Sequence, residues 1–264
     1  MVRNRSRHKS TRRRKSPPAS NTALVYGAHA VRAALANPER QNTRLWATAE
    51  GRQSLLEDPG NWSESGAEVL RSAITAERPD ISARLPDGAV HQGLLLEASP
   101  LADPGLASLT PDKGTGSRAP VVVLDQVSDP HNVGAILRSA AAFGARALVM
   151  QDRHTPSATG TLAKAASGAL EVVPLVYVTN ISRALDDLKA MEYWVVGLDA
   201  ESDIPLAEAV DREPLVLVLG AEGSGLRRLT AEHCDLMCRI PIGNAVASLN
   251  VSNAAAIALY ESSK

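Results

Sequence analysis

From residue 121 to residue 261 the chain alternates short, continuously apolar runs with segments whose apolar positions recur at helical spacing. The pattern predicts strands near 121–125, 147–150, 174–178, 193–198, 215–219 and 237–240, and helices near 131–143, 160–168, 180–190 and 250–261. Helices alternating with buried-type strands such as Leu215-Val216-Leu217-Val218-Leu219 argue for an α/β fold, a mostly parallel sheet with helices on both faces.

A smaller α/β pattern precedes this one. It opens at Leu24-Val25-Tyr26-Gly27, continues with a helix over Ala28–Ala36 stopped by Asn37-Pro38, and includes strands over 44–48 and 90–98. Between the two patterns, Pro100, Pro104, Pro111 and Pro120 and three glycines interrupt every apolar period. The expected division is therefore a tail over 1–20, a first domain over 21–98, a linker over 99–119 that lets the domains move, and a second domain over 120–264.

Charge changes this picture at one end. The net charge is −1, yet residues 1–20 hold eight of the 28 Lys and Arg and no Asp or Glu, leaving 20 basic against 29 acidic side chains elsewhere. With almost no apolar residues, that segment is expected to be a disordered arm for nucleic-acid phosphate. One Phe, four Tyr and three Trp are too few for RNA recognition by rows of stacked rings. No apolar run has the length of a membrane span and the start lacks the apolar part of a secretory signal, so a cytoplasmic protein is expected. Cys234 and Cys238 lack companion ligands for zinc and read as small buried side chains, and no metal is expected.

Three stretches carry candidate chemistry. Asp129-Pro130 reads as an N-cap followed by proline at the first helical position, placing Asn132 in the first turn, where amides favour an anion such as RNA phosphate. Gly134 inside that helix implies a close neighbour. Arg138 lies among apolar residues, either on the solvent face or in a polar site, about 120° around the helix from Asn132. Gly220-Ala221-Glu222-Gly223-Ser224-Gly225 follows an apolar strand but lacks dinucleotide-fingerprint spacing. Ala247-Ser248-Leu249-Asn250 then opens an Ala-rich final helix, with Ser248 suited to cap it and Asn250 to be a first-turn amide.

Taken in order, Leu124 to Ser139, Leu215 to Gly225 and Ile240 to Asn253 resemble the signature blocks of the SPOUT RNA 2'-O-ribose methyltransferases of the TrmH group. The likeness extends over about residues 24–261 and is strongest to members that modify a guanosine of 23S ribosomal RNA. It implies a deep trefoil knot in the second domain, an L30e-like RNA-binding fold for the first, S-adenosyl-L-methionine as cofactor, and a homodimer with active sites beside the subunit interface. The final helix, apolar and Ala-rich, offers a surface for such a twin. Arg138, Asn132, Glu222, Ser248 and Asn250 fall on the family's catalytic positions. Leu198, Gly220, Ile240 and Leu249 fall on its cofactor pocket. A guanidinium keeps its proton, so Arg138 is expected to stabilise the developing ribose alkoxide. The plain stretch Gly243–Ala247 departs from the family's Ser-rich version and leaves the target nucleotide open. His29 and His91 are read as packing or hydrogen-bonding residues. The partner would be ribosomal RNA or an assembling ribosomal particle. Three other readings stay open: a transfer-RNA methyltransferase of the same group, a non-catalytic ribosomal-RNA-binding protein, and a dehydrogenase, the last disfavoured by the missing fingerprint.

Overall fold

The structure is a computed structural model that describes residues 22–57, 60–111, 119–153, 160–243 and 245–264. The basic arm over 1–20 and the stretch 112–118 of the predicted linker lie outside the described residues.

The amino-terminal sheet contains β1 (Ala23–Tyr26), β2 (Asn42–Ala47), β3 (Ile74–Thr75) and β4 (Leu94–Ala98), in the order β1-β4-β2-β3. β4 runs antiparallel to both neighbours, and β2 and β3 are parallel. Helix α1 (Ala28–Ala36) forms as expected, while α2 (Ala49–Glu57), α3 (Glu64–Arg71) and α4 (Arg78–Ser82) were not anticipated. Their windows contain Gly51, Gly66 and Pro79, which hide a helical period. At α3 the deciding signal is local: Ser63 caps it by accepting from the Gly66 amide at 3.1 Å. The strand expected over 90–98 is shorter. His91, Gln92 and Gly93 form a turn with φ of 54° at Gln92 and 77° at Gly93 before β4 begins.

The second sheet joins β5 (Val121–Asp125), β6 (Ala147–Gln151), β7 (Leu175–Val178), β8 (Trp194–Leu198), β9 (Leu215–Gly220) and β10 (Leu236–Cys238) in the order β10-β8-β9-β5-β6-β7. Every pairing is parallel. Successive residues of β5 enter cores on opposite faces, Val122 and Leu124 on one and Val121 and Val123 on the other. Helices α5 (Pro130–Ala142), α6 (Thr161–Ala166) and α9 (Val251–Ser262) share the first core, and α7 (Ile181–Ala190) contributes to the second. A short α8 (Arg228–Glu232) precedes β10. Asp129 caps α5 by accepting from the His131 amide at 3.1 Å, with Pro130 in the first turn as expected.

The two sheets are not free of one another. Arg40 and Glu171 form an ion pair with side-chain exposures of 0% and 5%. Glu171 also accepts from Arg40 Nε at 3.1 Å and from Asn37 Nδ2 at 2.8 Å, while Arg40 Nη1 donates to the Ser99 carbonyl at 2.7 Å. A Cβ on Gly168 would stand 2.8 Å from that of Ala33, so the backbone of the second unit lies directly on α1. Residues 101–110 are held as well: the Tyr193 hydroxyl donates to the buried Leu109's carbonyl at 2.7 Å, and Asp103 accepts from the Tyr177 amide at 3.3 Å. The expected freedom between units is therefore corrected. A buried charge that must keep its partner fixes their relation.

Replacing Glu171 with Ala strands Arg40 without its counter-charge and should cost about 3–5 kcal/mol in denaturant unfolding, whereas exchanging both for apolar residues should cost far less. A second prediction concerns His91, which is buried and accepts from the Gly93 amide at Nδ1 (3.1 Å), leaving its proton on Nε2, which lies 3.1 Å from Ser82 Oγ. Burial, helped by the nearby Arg78 charge, holds its pKa below the ordinary 6.5. The unfolded chain then binds this proton more readily than the folded one, so the contribution is complete above pH 6.5 and shrinks as pH falls below it. In a His91→Gln variant the decline of unfolding free energy between about pH 7 and 5 should flatten.

Candidate active site

The topology marks one crevice. The chain leaves β5 towards β6 on one side, while β9, its neighbour on the other side, leads on towards β10 at the opposite edge. Such a reversal opens a gap at the carboxyl ends of the central strands, where α/β proteins hold ligands. Asp125 and Gly220 are the register partners that end β5 and β9 there.

Both ends are tied. The Asp125 carboxylate has no solvent exposure, accepts from the Arg227 amide at 3.0 Å and Nε at 2.8 Å, and is ion-paired with its Nη2 at 2.6 Å. This latch closes the loop after β9 against β5. Within the loop, the Gly225 amide donates to the Ala221 carbonyl at 2.9 Å. A Cβ on Gly220 would stand 2.1 Å from the Gly225 carbonyl carbon, so no other residue fits without moving the loop. Asp125 is not among the expected site residues. Its one signal was a charge directly after four buried apolar residues.

The latched loop presents Glu222, and two asparagines converge on it. Asn132 Nδ2 donates to Glu222 Oε1 at 3.1 Å, Asn250 Nδ2 donates to Asn132 Oδ1 at 3.0 Å, and Asn250 also hydrogen-bonds to Glu222. Asn250, rather than the expected Ser248, is simultaneously the N-cap of α9, with Oδ1 accepting from the Ser252 amide at 2.9 Å and the Asn253 amide at 3.4 Å. Because Oδ1 must face those amides, the NH2 end must face Glu222. Three blocks separated by 90 and 28 residues thus meet in one polar cluster. Glu222 does not cap the helix that follows it.

Beside this cluster lies a cavity of about 400 Å³, within the usual range for small-molecule sites. Leu198, Gly220, Glu222, Ile240, Ser248 and Leu249, all expected site residues, line it. Strand β10 ends at Cys238 rather than near Ile240, because Arg239 pairs with Ile204 and Leu206 instead. The peptide groups of Ile240, Ile242 and Leu249 are left without backbone hydrogen bonds among the described residues. Apolar walls with unpaired peptide edges suit a purine. Asp199 and Glu201, not anticipated, put two more carboxylates in the lining and suit a cationic ligand. These features fit S-adenosylmethionine, whose adenine and charged sulfonium-amino portion need those two environments.

Arg138 is placed differently. It is exposed on α5, does not line the cavity, and has no ion pair or hydrogen bond among the described residues. Gly134, by contrast, has the close neighbour its position implied, since a Cβ there would lie 2.4 Å from that of Ala165 on α6. Cys234 and Cys238 are free thiols, pushed by burial up to about 12 and about 11, and stay protonated near neutrality.

A parallel α/β sheet with a ligand-sized crevice among three strand-end segments defines the class, and comparison supplies the family. The chain belongs to the SpoU rRNA Methylase family, whose model matches residues 119–260. It is 40% identical over 244 residues to the 23S rRNA (guanosine-2'-O-)-methyltransferase RlmB of Pseudomonas aeruginosa, covering 90% of this chain and 94% of that one. It is 37% identical to the enzyme of the same name from Escherichia coli K12, covering 90% and 96%. A tRNA/rRNA methyltransferase of Synechocystis, itself uncharacterised, is 39% identical over 90% of this chain, which spans only 61% of that relative's length. Among solved structures, a TrmH-family protein from Porphyromonas gingivalis superposes with a TM-score of 0.71 at 26% identity, over 92% of this chain and 89% of that one. The AviRb methyltransferase of Streptomyces viridochromogenes, solved with AdoMet, shares the fold at a TM-score of 0.71, covering 92% and 89%, with 24% identity.

Replacing Asn250 with Ala removes both the cap of α9 and two contacts within the cluster, and should lower stability by about 1 kcal/mol or more in thermal unfolding. Asn250→Ser should recover most of that stability, because serine also caps, without restoring the bond to Glu222.

Proposed function

We propose that the protein transfers the methyl group of S-adenosylmethionine to a ribose 2'-oxygen of a guanosine in 23S ribosomal RNA. The observation that carries this reading is the Asn132–Glu222–Asn250 cluster beside the cavity, assembled from the same three blocks that resemble the family. Identity of about 40% over nine-tenths of the chain to enzymes named for that reaction supports the substrate. When bound, the cofactor supplies a methyl group on a sulfonium leaving group. The chain's residues then have to orient the sugar and manage its proton.

Leu198, Gly220, Ile240 and Leu249 would hold the cofactor, with peptide edges meeting the adenine. Glu222, held by two amides, is an acceptor with one face committed to the protein and the other open to a ribose hydroxyl. Asn132 and Asn250 fix its direction, and Ser248 offers a further hydroxyl at the cavity wall. Arg138 would stabilise the alkoxide as the 2'-hydroxyl loses its proton. Within one chain it stands apart from the cluster, which favours the homodimer: an exposed, unpartnered cation is free to meet a second subunit. Ile257 and Tyr260 on α9, 39% and 52% exposed, supply apolar surface for that contact. We further read the carboxy-terminal segment as threaded through a loop of the second unit to form a deep trefoil knot.

The division at 21–98 and 120–264 follows the same reading, with the amino-terminal unit as an L30e-like RNA-binding domain. There Arg44 and Arg84 lie over Trp46 at 5.3 and 4.7 Å, which holds two exposed cations on one aromatic ring. Transfer RNA is the competing substrate of the same chemistry. No helix among the described residues is long and apolar enough to cross a membrane, and the reading places the protein in the cytoplasm with its ribosomal substrate.

With labelled cofactor and transcripts of both RNA classes, methyl transfer to ribosomal RNA is expected; transfer only to transfer RNA would replace the substrate, and none to either would sink the enzyme reading. Arg138→Ala should abolish transfer while cofactor affinity by calorimetry changes little. Deleting residues 1–20 should weaken RNA binding most at low salt, and equal affinities across a salt series would show the arm to be idle.

A further inference from the structure

A second cavity, of about 330 Å³, lies at the carboxyl ends of the sheet on the face covered by α7. Gln151, Asn180, Ser182, Arg227, Arg228 and Thr230 line it, and the lining contains two guanidinium groups and no carboxylate. Gln151 ends β6, Asn180 caps the ten-residue α7, and Arg227 to Thr230 follow the Glu222 loop. The cap accepts from the Arg183 amide at 3.0 Å, leaving the earlier amides of the turn, including that of Ser182, without a helical acceptor.

An independent observation marks this cavity as a site. Thr230 is 1% exposed, and its hydroxyl has no hydrogen-bond partner among the described residues. A buried hydroxyl left unsatisfied costs about 1–3 kcal/mol, and a ligand seated in the cavity beside it would lower that cost by hydrogen-bonding to it. The guanidinium groups are already partly used, Arg227 by Asp125 and Arg228 by Glu232. Each nonetheless keeps N–H groups beyond those contacts, since guanidinium has five.

We infer that this cavity binds a backbone phosphate of the RNA substrate, one that neighbours the ribose presented at Glu222. The inference rests on the ribosomal-RNA methyltransferase reading. The loop explains the pairing of sites: residues 220–225 line the first cavity, Arg227 to Thr230 line the second, and the Asp125–Arg227 latch joins them. A phosphate held by Arg227 would press on the same loop that carries Glu222. Donors without a carboxylate, beside a helix start, select an anion over a cation. The RNA strand itself supplies phosphates next to its ribose.

The test uses the full-length protein, with Arg228→Ala and Thr230→Val as variants. Arg228 has 77% side-chain exposure, so its removal leaves the fold intact. Valine keeps the shape of Thr230 without the hydroxyl. Each variant should bind an RNA transcript about three- to tenfold more weakly at 0.1 M salt, and Arg228→Ala should lower the slope of log affinity against log salt by about one. The loss should fall on KM for RNA rather than on kcat. Scanning a neutral methylphosphonate along a short substrate should find one position that weakens the wild type but not Arg228→Ala. If Thr230→Val raises the melting temperature and leaves RNA affinity unchanged, while Arg228→Ala retains the wild-type KM and salt slope, the phosphate site is overturned. Wild-type methyl transfer in the same assay reports separately on the enzyme reading: were it absent, the salt slopes of RNA binding would still decide the phosphate site.

Discussion

One buried carboxylate organises the carboxyl edge of the larger sheet. Asp125 ends a strand whose other residues are all apolar, and with no exposure to water it must be neutralised where it stands. A charge left alone there would cost several kcal/mol, and the backbone and side chain of Arg227 meet it from one direction. The consequence is mechanical. The loop between β9 and α8 cannot swing open without exposing or stranding that charge, and Glu222 travels with the loop.

Small residues make the rest of the arrangement possible. Gly220 lets the loop fold back on its own strand, Gly134 lets α6 cross α5 at backbone distance, and Gly168 lets the second unit settle on α1. In each place a methyl group would collide with atoms that cannot easily move. The Arg40–Glu171 pair then holds the amino-terminal unit with a second buried charge. Two buried carboxylates, Asp125 met by the exposed Arg227 inside the larger unit and Glu171 met by the buried Arg40 between units, thus set the geometry in which RNA would meet the cavity.

The polar cluster shows how structural and chemical roles coincide. Asn250 caps a helix with its oxygen and aims its nitrogen at Glu222, so the residue that starts α9 also orients the carboxylate. A cap is held by the whole helix behind it, which gives the cluster a rigid base. The cavity gains its ligand-binding edges in a related way. Arg239 turns aside to pair with Ile204 and Leu206, and the next peptide, at Ile240, is released from the sheet.

Much of this was legible in the residues. The six short apolar runs of the second unit became its six strands, and Asp129-Pro130 began α5 where an N-cap and a first-turn proline should. Burial on both faces of a parallel strand forces a continuous apolar run, which is why those elements announced themselves. In the first unit, α2, α3 and α4 escaped because short helices with glycine or proline carry little periodicity, and their stability comes from the sheet beneath them. Composition along the chain thus determined element type, the blocks bearing chemistry and the family likeness. Only the tertiary structure decided that Asn132, Glu222 and Asn250 touch, that Arg138 stays outside their cluster, that Asp125 latches Arg227, and that the two units are locked by Arg40. Each is a contact between residues far apart in sequence, and a local pattern records what a side chain prefers, not which distant partner the fold brings to it.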